Sequence, residues 1–236
     1  MNVTIIGFDE AGPVFGKQLH DSGTAVTAWD ILQDDTSTAQ QQIEKTQALG
    51  ITPAKSAHDA IATADLIIST VTASQAITAA EQAADGLRAG CHWLDLNSVS
   101  PSTKQTINEI VSAKGVLFTE GVAMDTVPSK GVQVPILLCG PESATLSQQL
   151  NAVGFNTQSV SEELGTASTT KLLRSIMIKG MEALFAESME AAGKVGMQDE
   201  VIASLQATYP GLDWQKVAGY QLSRATLHAT RRAAEM

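Results

Sequence analysis

The stretch "NVTIIGFDEAGPVFG", residues 2–16, decides the fold of this chain. Residues 2–7 are rich in β-branched and apolar side chains, which is typical of a buried strand. Gly7 ends that strand, and Gly12 followed by Pro13 opens a helical pattern. In a strand–turn–helix unit of this kind the backbone amides at the start of the helix converge, and the helix dipole favours an anion there.

The turn departs from the dinucleotide-binding pattern Gly-x-Gly-x-x-Gly, because Asp9 stands at the second glycine. That glycine normally lets the backbone approach a pyrophosphate closely. Two like charges 4 Å apart repel by about 4 kcal/mol at an effective dielectric of about 20. Asp9 must therefore turn away, weaken cofactor binding, or cap the helix and occupy the phosphate position itself. The predicted cofactor-binding residues of this turn are Gly7, Phe8, Asp9, Glu10, Ala11 and Gly12.

Asp30 ends the second predicted strand, residues 25–30. In dinucleotide-binding folds an acid at this place hydrogen-bonds the adenosine ribose hydroxyls and disfavours a 2′-phosphate. Asp30 is therefore a predicted cofactor-binding residue, and it favours NAD over NADP. The alternative is an ordinary turn residue after a strand.

Short apolar runs alternate with amphipathic stretches through the first 160 residues. This alternation predicts an α/β fold, a doubly wound and largely parallel sheet with helices on both faces. The runs at 65–71 and 134–139 are almost wholly apolar, which indicates strands buried on both sides. The predicted strands are 2–7, 25–30, 65–71, 91–96, 115–120 and 134–140. The predicted helices between them are 12–22, 38–48, 56–63, 74–87, 101–114 and 141–152.

The pattern changes near residue 163, where a long segment without proline begins. Its apolar side chains recur at helical spacing, which predicts one helix far longer than the usual three turns. These residues are Leu173, Ile176, Met177, Met181, Leu184, Phe185 and Met189. Further helices are predicted at 198–208 and 213–234. We therefore predict a Rossmann-type domain over residues 1–163 and a small all-helical domain over 164–236.

Composition excludes several classes of partner. The formal net charge is −10, and there is no basic tract to attract nucleic acid or an anionic membrane. No apolar run reaches the length needed to span a bilayer, and no signal-peptide pattern is present. The two cysteines, Cys91 and Cys139, indicate buried fillers rather than a disulfide framework, and hence a cytoplasmic protein. We predict no metal site.

Four stretches together resemble the β-hydroxyacid dehydrogenase superfamily, which includes 3-hydroxyisobutyrate and 6-phosphogluconate dehydrogenases. They are "IIGFDEAG" (5–12), "DLNSVSP" (95–101), "EGVAMDTVPSKGVQVPILLCGP" (120–141) and "GTASTTKLLRSIMIKGMEALFAESMEAAGKVG" (165–196). The chain is similar in particular to a subgroup labelled phosphogluconate dehydrogenase, NAD-binding, with its own helical C-terminal domain. The resemblance implies a long interdomain helix, a homodimer or higher homo-oligomer, and reversible NAD(P)-dependent oxidation of a small β-hydroxy acid.

The resemblance also implies a catalytic lysine. The family pattern Gly-x-Gly-x-x-x-Lys-x-x-x-Asn aligns with Gly165 and Lys171, with Ala167 at the second glycine and Ser175 at the asparagine. Lys171 and Ser175 are four residues apart and share one helix face. Lys171 is the predicted acid/base, and Arg174 is predicted to lie near this face and contact substrate. The alternative is a solvated helix residue.

Polar residues after two predicted strands complete the predicted site. The resemblance implies that Ser98, Val99 and Ser100 hold substrate, with Asn97 beside the cofactor. Val71 and Thr72 follow the strand where the family passes its nicotinamide ribose. The carboxyl ends of parallel strands are also where open α/β sheets bind ligands. The alternative for Ser100 is a helix cap ahead of Pro101.

The segment 121–126, "GVAMDT", departs from the family pattern, because it lacks the glycine pair that receives a substrate carboxylate in relatives. Met124 is predicted to line the pocket and make it more apolar. A replacement is predicted in "HATRRAAEM" (228–236), where His228, Arg231 and Arg232 form one cationic helix face suited to a carboxylate or phosphate. The alternatives are a solvated face or a salt bridge between subunits.

These patterns predict an NAD(P)-dependent oxidoreductase that acts on a small β-hydroxy acid or its keto partner. Hydride moves between nicotinamide and substrate, Lys171 is the acid/base and Ser98 orients the oxygen. The alternative is a degenerate, non-catalytic member that binds ligand weakly or acts as a dimeric scaffold.

Overall fold

The structure, a computed structural model, describes residues 1–227. The chain forms two compact units, Met1–Lys171 and a second unit from Leu172 onward. The first unit is an eight-stranded sheet flanked by helices, and the second is helical. The predicted α/β class with a helical C-terminal part is therefore confirmed, whereas the predicted domain boundary between residues 163 and 164 stays a prediction.

The sheet has the strand order of a dinucleotide-binding fold. Its strands are β1 (Asn2–Ile6), β2 (Ala25–Trp29), β3 (Thr52–Pro53), β4 (Leu66–Ser69), β5 (His92–Asp95), β6 (Leu117–Ala123), β7 (Ile136–Cys139) and β8 (Thr157–Ser161). They lie in the order β3-β2-β1-β4-β5-β6-β7-β8. The first six are parallel, β7 is antiparallel to β6, and β8 is parallel to β7.

The helices follow the predicted alternation. They are α1 (Ala11–Asp21), α2 (Ala39–Gln47), α3 (Ala57–Ile61), α4 (Ala76–Ala83), α5 (Pro101–Ser112), α6 (Val127–Lys130), α7 (Ser143–Ala152), α8 (Thr166–Val195), α9 (Gln198–Thr208) and α10 (Trp214–Leu227). The prediction of one helix over 74–87 is wrong, because 3₁₀ turns at Ala73–Gln75 and Ala84–Gly86 flank α4.

Two edge strands and one short helix were not predicted from the sequence. β3 has only two residues and contains Pro53, which an edge position tolerates because one side needs no ladder bond. β8, "TQSVS", is polar and has one buried residue, so it lacks the apolar signal of an inner strand. The four residues of α6 are too few to show a helical period.

The sheet buries an apolar core on each face. Successive residues of a strand point to opposite faces, so Ile5 packs in one core and Ile6 in the other. The runs predicted to be buried on both sides form β4, which is fully buried, and β7, which is buried except at Leu137. Both cysteines are buried, as predicted, and burial raises the pKa of Cys139 to about 11, which makes its thiol a poor nucleophile.

His92 predicts a pH-dependent stability. Its Nε2 lies 2.7 Å from Thr119 Oγ1, and burial lowers the pKa of His92 from 6.5 to about 4. Below pH 6.5 the His92 ring becomes protonated in the unfolded chain, whereas in the native protein it stays neutral down to about pH 4. The free energy of unfolding therefore falls as pH decreases through this window, by at most about 3.5 kcal/mol, since one pKa unit corresponds to about 1.4 kcal/mol.

Urea unfolding at several pH values checks this prediction. We expect His92→Gln to remove part of the loss of stability between pH 6.5 and 4, with His20→Gln as the matched control. An unchanged pH slope in the His92 variant would contradict the assignment.

The second unit packs around aromatic side chains of α8 and α10. Phe185 and Trp214 lie with ring centroids 5.7 Å apart, and Phe185 and Met189 are buried. Other apolar residues of the predicted stripe are exposed, among them Leu173, Ile176 and Leu184 at 60%, 67% and 68%. Within the described residues, no helix combines the length and apolar character that crossing a membrane requires.

Candidate functional site

Gly7 and Gly12 make the close approach of α1 to β1 possible. Gly7 has φ of +88°, and a Cβ there would lie 2.8 Å from the carbonyl carbon and oxygen of Thr70. A Cβ on Gly12 would lie 2.2 Å from the carbonyl oxygen of Gly7. Backbone atoms fill both spaces, so no larger residue fits without moving the helix or the turn.

The turn offers amides to an anion at the topological switch point of the sheet. α1 begins at Ala11, so the N–H groups of Ala11 and Gly12 have no acceptor within the helix. They lie at the carboxyl end of β1. From β1 the chain continues on one side of the sheet through β2 and β3, and then returns to the other side of β1 as β4. This donor set fits the pyrophosphate of a dinucleotide.

Asp9 turns away from the helix start. Its side chain is 80% exposed, and the N-cap of α1 is Glu10, which makes no side-chain capping bond. The alternative in which Asp9 caps the helix is therefore wrong. Lys45 Nζ donates to the carbonyl oxygens of Phe8 and Asp9, at 2.8 Å each, and lies 3.9 Å from Asp9 Oδ1. Lys45 stands 36 residues further along the chain, so no local pattern indicated this contact.

Asp9→Gly therefore tests the cost of this charge. We expect tighter dinucleotide binding, by a factor of a few, because an exposed like charge costs about 1 kcal/mol at 4 Å in water. Calorimetry on Asp9→Gly and Asp9→Asn separates the size of the side chain from its charge, with exposed Asp85→Asn as the control. Equal or weaker binding in both Asp9 variants would contradict the prediction.

Asp30 is buried at the end of β2 and holds the turn from the side. Its Oδ2 accepts the Phe8 amide at 2.6 Å, and its Oδ1 accepts the Leu32 amide at 3.0 Å. Gln33 Oε1 accepts the Asp30 amide at 2.9 Å, which completes a capping box. Asp30 thus caps the 3₁₀ turn that follows β2, a role compatible with the alternative of a turn residue after a strand, and its carboxylate lies beside the glycine loop.

The end of β4 borders the same turn. Thr70, which the sequence analysis missed, donates from Oγ1 to the carbonyl oxygen of Gly7 at 2.7 Å. A Cβ on Gly7 would lie 2.9 Å from Val71 Cγ1, so Val71 walls the loop. Thr72 is exposed, with Oγ1 3.3 Å from Ser74 Oγ. Val71 and Thr72 thus lie at the carboxyl edge where the sequence predicted them.

A buried ion pair lies beneath the end of β5. Asp95 and Lys104 are both 0% exposed, with Lys104 Nζ 2.5 Å from Asp95 Oδ1. Lys104 Nζ also donates to the carbonyl oxygens of Asp95, at 2.8 Å, and of Gly121, at 3.1 Å. Lys104 shares the buried face of α5 with Ile107 and Val111. A lysine at an apolar-face position was the available signal for this pair.

Asn97 extends this network toward the loop after β5. Its Nδ2 donates to Asp95 Oδ2 at 2.8 Å and to Ser69 Oγ at 2.9 Å. Asn97 is buried, and its Oδ1 has no hydrogen-bond partner among the described residues. A buried acceptor left unpaired costs free energy unless a ligand satisfies it, so Asn97 fits a ligand-facing position.

Lys171 and Ser98 meet at the carboxyl edge of the sheet. Lys171 Nζ donates to Ser98 Oγ at 2.8 Å, across 73 residues of sequence. Val99 packs against the core on the Ile6 side, so its side chain supports the loop. Ser100 caps α5, since its Oγ accepts the Thr103 amide at 3.2 Å. The cap interpretation of Ser100 is therefore confirmed.

The remaining predicted site residues belong to other parts of the chain. Met124 follows β6, donates its amide to the Pro135 carbonyl oxygen at 2.8 Å, and packs against the cluster of Val122, Cys139 and Ala167. Arg174 and Ser175 belong to the second unit. Within residues 1–227 no group of His, Cys, Asp or Glu is arranged to hold a metal ion. The predicted cationic face of His228, Arg231 and Arg232 lies outside the described residues.

Two parts of the chain match known protein families. Residues 2–144 match the NAD binding domain of 6-phosphogluconate dehydrogenase. Residues 192–236 match a domain of unknown function, DUF1932. The first match covers the glycine loop, Asp30 and the Asp95–Ser98 segment described above.

The chain is also similar to several solved structures and to a curated protein. A conserved hypothetical protein from Sinorhizobium meliloti 1021 is 35% identical, with a TM-score of 0.85 over 100% of this chain and 79% of that one. A conserved protein of unknown function, described as structurally similar to 3-hydroxyacid dehydrogenases, is 29% identical, with a TM-score of 0.84 over 100% and 86%. An NAD-dependent L-serine dehydrogenase from Pseudomonas aeruginosa is 20% identical over 90% of this chain and 71% of its own length.

Other structures share the fold at lower identity. They include 3-hydroxyisobutyrate dehydrogenases at 15% and 18% and imine reductases at 22% and 23%. At this level the similarity shows the fold alone. Together with the glycine loop and the strand order, the matches show that the chain belongs to the family of the NAD binding domain of 6-phosphogluconate dehydrogenase, within the β-hydroxyacid dehydrogenase superfamily.

Proposed function

We propose that the protein is an NAD(P)-dependent oxidoreductase that acts on a small β-hydroxy acid or its keto partner. The observation that carries the proposal is the 2.8 Å contact between Lys171 Nζ and Ser98 Oγ at the carboxyl edge of the sheet. Ligands of open α/β sheets bind at this edge. A lysine amine at this edge can serve as the acid/base, and the serine hydroxyl beside it can orient the substrate oxygen.

The chain's own residues handle the proton and the orientation of substrate. A bound nicotinamide supplies or accepts the hydride. In oxidation the Lys171 amine takes the proton of the substrate hydroxyl, and in reduction it returns that proton to the carbonyl oxygen. Ser98 orients the substrate oxygen through its hydroxyl. Ser175 is assigned as an assisting polar group on the family pattern alone.

The turn from Gly7 to Gly12 is proposed to hold the pyrophosphate, with Asn97, Val71 and Thr72 beside the nicotinamide half. NAD is proposed over NADP because the Asp30 carboxylate is fixed by two amides at the adenosine end of the loop. A 2′-phosphate placed there would meet a negative charge that cannot swing away.

The proposed substrate pocket is more apolar than the family pattern. Met124 packs against the cluster that contains Ala167 of α8, and it stands in the segment where the family pattern implies a glycine pair for the substrate carboxylate. We propose that Ser98, Val99, Ser100 and Met124 line the pocket. Arg174, three residues after Lys171 in the sequence, is proposed as a substrate-binding residue on sequence grounds alone. His228, Arg231 and Arg232 are proposed as the anchor for a carboxylate.

A homo-oligomer is part of the proposal. Leu173, Ile176, Met177 and Leu184 are each at least 60% exposed on α8. An apolar stripe of this kind is costly to leave in water, and a second copy of the chain would cover it. Size-exclusion chromatography with light scattering measures the mass.

A screen of small hydroxy acids with NAD⁺ and NADP⁺ tests the proposed activity, with absorbance of the reduced nicotinamide as the readout. Fluorescence titration with NADH and NADPH runs beside it and measures binding without turnover. Cofactor binding with turnover of a β-hydroxy acid supports the proposal. Cofactor binding without turnover of any hydroxy or keto acid contradicts it.

Two observations favour a second candidate, a non-catalytic member of the family. The Phe8 amide is already bound to Asp30, and Asp9 places a charge at the glycine loop, so fewer donors and more negative charge meet a pyrophosphate. Absence of NADH and NADPH binding at millimolar concentration would select this candidate.

A further inference from the structure

Glu120 is a buried carboxylate that the proposed chemistry does not use. It lies in β6 and is 0% exposed. Its Oε2 accepts the Gly165 amide at 2.5 Å, and its Oε1 accepts the Ser168 amide at 2.6 Å. A buried carboxylate is costly unless it is hydrogen-bonded. Both oxygens of Glu120 therefore accept backbone amides, and these come from residues 45 and 48 positions further along the chain.

The two amides flank the start of α8 at Thr166: Gly165 directly precedes the helix, and Ser168 lies in its first turn. The first amides of a helix have no acceptor within it, and a negative charge there interacts favourably with the helix dipole. The local hydroxyls act as donors instead. Thr166 Oγ1 donates to the Glu163 carbonyl oxygen at 2.9 Å, and Ser168 Oγ donates to that of Gly165 at 3.3 Å. The sheet therefore supplies the cap that the local sequence does not.

Glu120 also connects the two halves of the Lys171–Ser98 contact. Lys171 lies five residues after the start of α8. If the first turn of the helix is held in place, the position of the Lys171 backbone, and so the starting point of its side chain, is held as well. On the neighbouring strand, Asp95 is the register partner of Glu120 and anchors Asn97, next to Ser98. Two adjacent carboxylates of the sheet thus hold the two segments that bring the amine and the hydroxyl together.

We propose that Glu120 is a positioning residue that sets the start of α8 and thereby holds the Lys171 amine against Ser98. Its effect on turnover rests on the proposed function, whereas its effect on the helix and the amine does not. Glu120 contacts no reacting atom in this proposal and acts through Lys171.

Two measurements without substrate test the proposal on Glu120→Gln. Glutamine keeps the shape but replaces one acceptor with a donor and removes the charge. We expect amide hydrogen exchange in residues 165–171 to accelerate about tenfold or more, since bonds to charged groups are the stronger ones. We expect acylation of the Lys171 amine, followed by mass spectrometry, to accelerate about threefold. Exposed Glu163→Gln removes a charge beside the same helix start and should match the wild type in both.

Turnover provides the third measurement. With an active substrate, Glu120→Gln should lower kcat about tenfold and leave cofactor binding unchanged, because a displaced acid/base loses part of the roughly 10²–10⁴-fold that acid–base catalysis contributes. In a Lys171→Ala background the same change should have no further effect. An equal loss in both backgrounds would mean that Glu120 only stabilises the fold, and would overturn the proposal.

The outcomes separate this proposal from the proposed function. If the wild type turns over no substrate, the proposed function fails, and exchange and acylation still decide the role of Glu120. Unchanged exchange or unchanged Lys171 acylation overturns the role, whatever the activity. If Glu120→Gln does not fold, Glu120→Asp takes its place, because it keeps the charge but is one methylene too short to reach both amides. Wild-type values in that variant would equally overturn it.

Discussion

Lys171→Ala is expected to lower kcat by about 10²–10⁴ while leaving the dissociation constant of the nicotinamide cofactor within a few fold. This is the usual contribution of a positioned acid/base, and alanine removes both the amine and its 2.8 Å contact with Ser98. The glycine loop and Asp30, which are proposed to hold the cofactor, keep their own hydrogen bonds in this variant. Steady-state kinetics and fluorescence titration measure the two quantities separately.

Lys171→Arg distinguishes proton transfer from simple charge. Arginine can still donate a hydrogen bond toward Ser98, but its guanidinium does not give up its proton in proteins. An acid/base role therefore predicts that Lys171→Arg is nearly as slow as Lys171→Ala. Exposed Lys17→Ala, which breaks only the ion pair with Asp21, serves as the control and should keep full activity. Full turnover by Lys171→Ala would refute the assigned role.

Lys104→Met is expected to lower the free energy of unfolding by about 3–5 kcal/mol, because it leaves Asp95 as an uncompensated buried charge. All three ammonium hydrogens of Lys104 have acceptors in the structure, on Asp95 Oδ1 and on the carbonyl oxygens of Asp95 and Gly121. Methionine has a similar length, so the variant tests the charge and its hydrogen bonds more than the packing.

Urea unfolding of two further variants completes this experiment. Lys114→Met breaks an exposed pair with Asp85 and should change stability by less than about 1 kcal/mol. The double variant Asp95→Asn, Lys104→Met removes both charges and should recover part of the loss. A loss below about 1 kcal/mol in Lys104→Met, or no recovery in the double variant, would show that the pair is not a buried ionic contact in solution.

Local patterns were sufficient for the frame of the first unit. The β-branched run, Gly7, Gly12 and Pro13 predicted a strand, a tight turn and a helix, and the structure has all three. The prediction succeeded because the properties that matter are local: side-chain period, glycine at positive φ, and the absence of space for a Cβ. The same holds for the inner strands β4 and β7, whose observed burial confirms the prediction made from their apolar runs.

Edge elements were harder to predict, for an equally physical reason. β8 buries one residue of five and β3 contains a proline, so neither carries the apolar alternation of an inner strand. Their backbones pair because the neighbouring strand has unpaired N–H and C=O groups along its free edge. The sequence of the edge strand itself contains no sign of that neighbour. The antiparallel entry of β7 likewise depends on where the chain returns after α6.

The contacts that support the candidate site were also not predicted, because they join residues that are distant in the sequence. Resemblance indicated Lys171 and Ser98, but the polar groups that support them went unnoticed, because each pairs with a distant partner. Lys45 binds the glycine turn from α2, Lys104 pairs with Asp95 under the sheet, and Glu120 caps α8. Two of these had a usable signal, an ionisable residue at a buried position: Lys104 on an apolar helix face and Glu120 inside a strand.

The amino-acid sequence by itself determined the inner strands and the longer helices of the first unit, the glycine turn, the buried thiols and the family, because these depend on residue type and spacing along one segment. Only the tertiary structure decided where Asp9 points, what Asp30 binds and which carboxylate starts α8. Those outcomes depend on which distant backbone amide or ammonium arrives within about 3 Å, and a hydrogen bond of that length exists only once the sheet has brought the segments together.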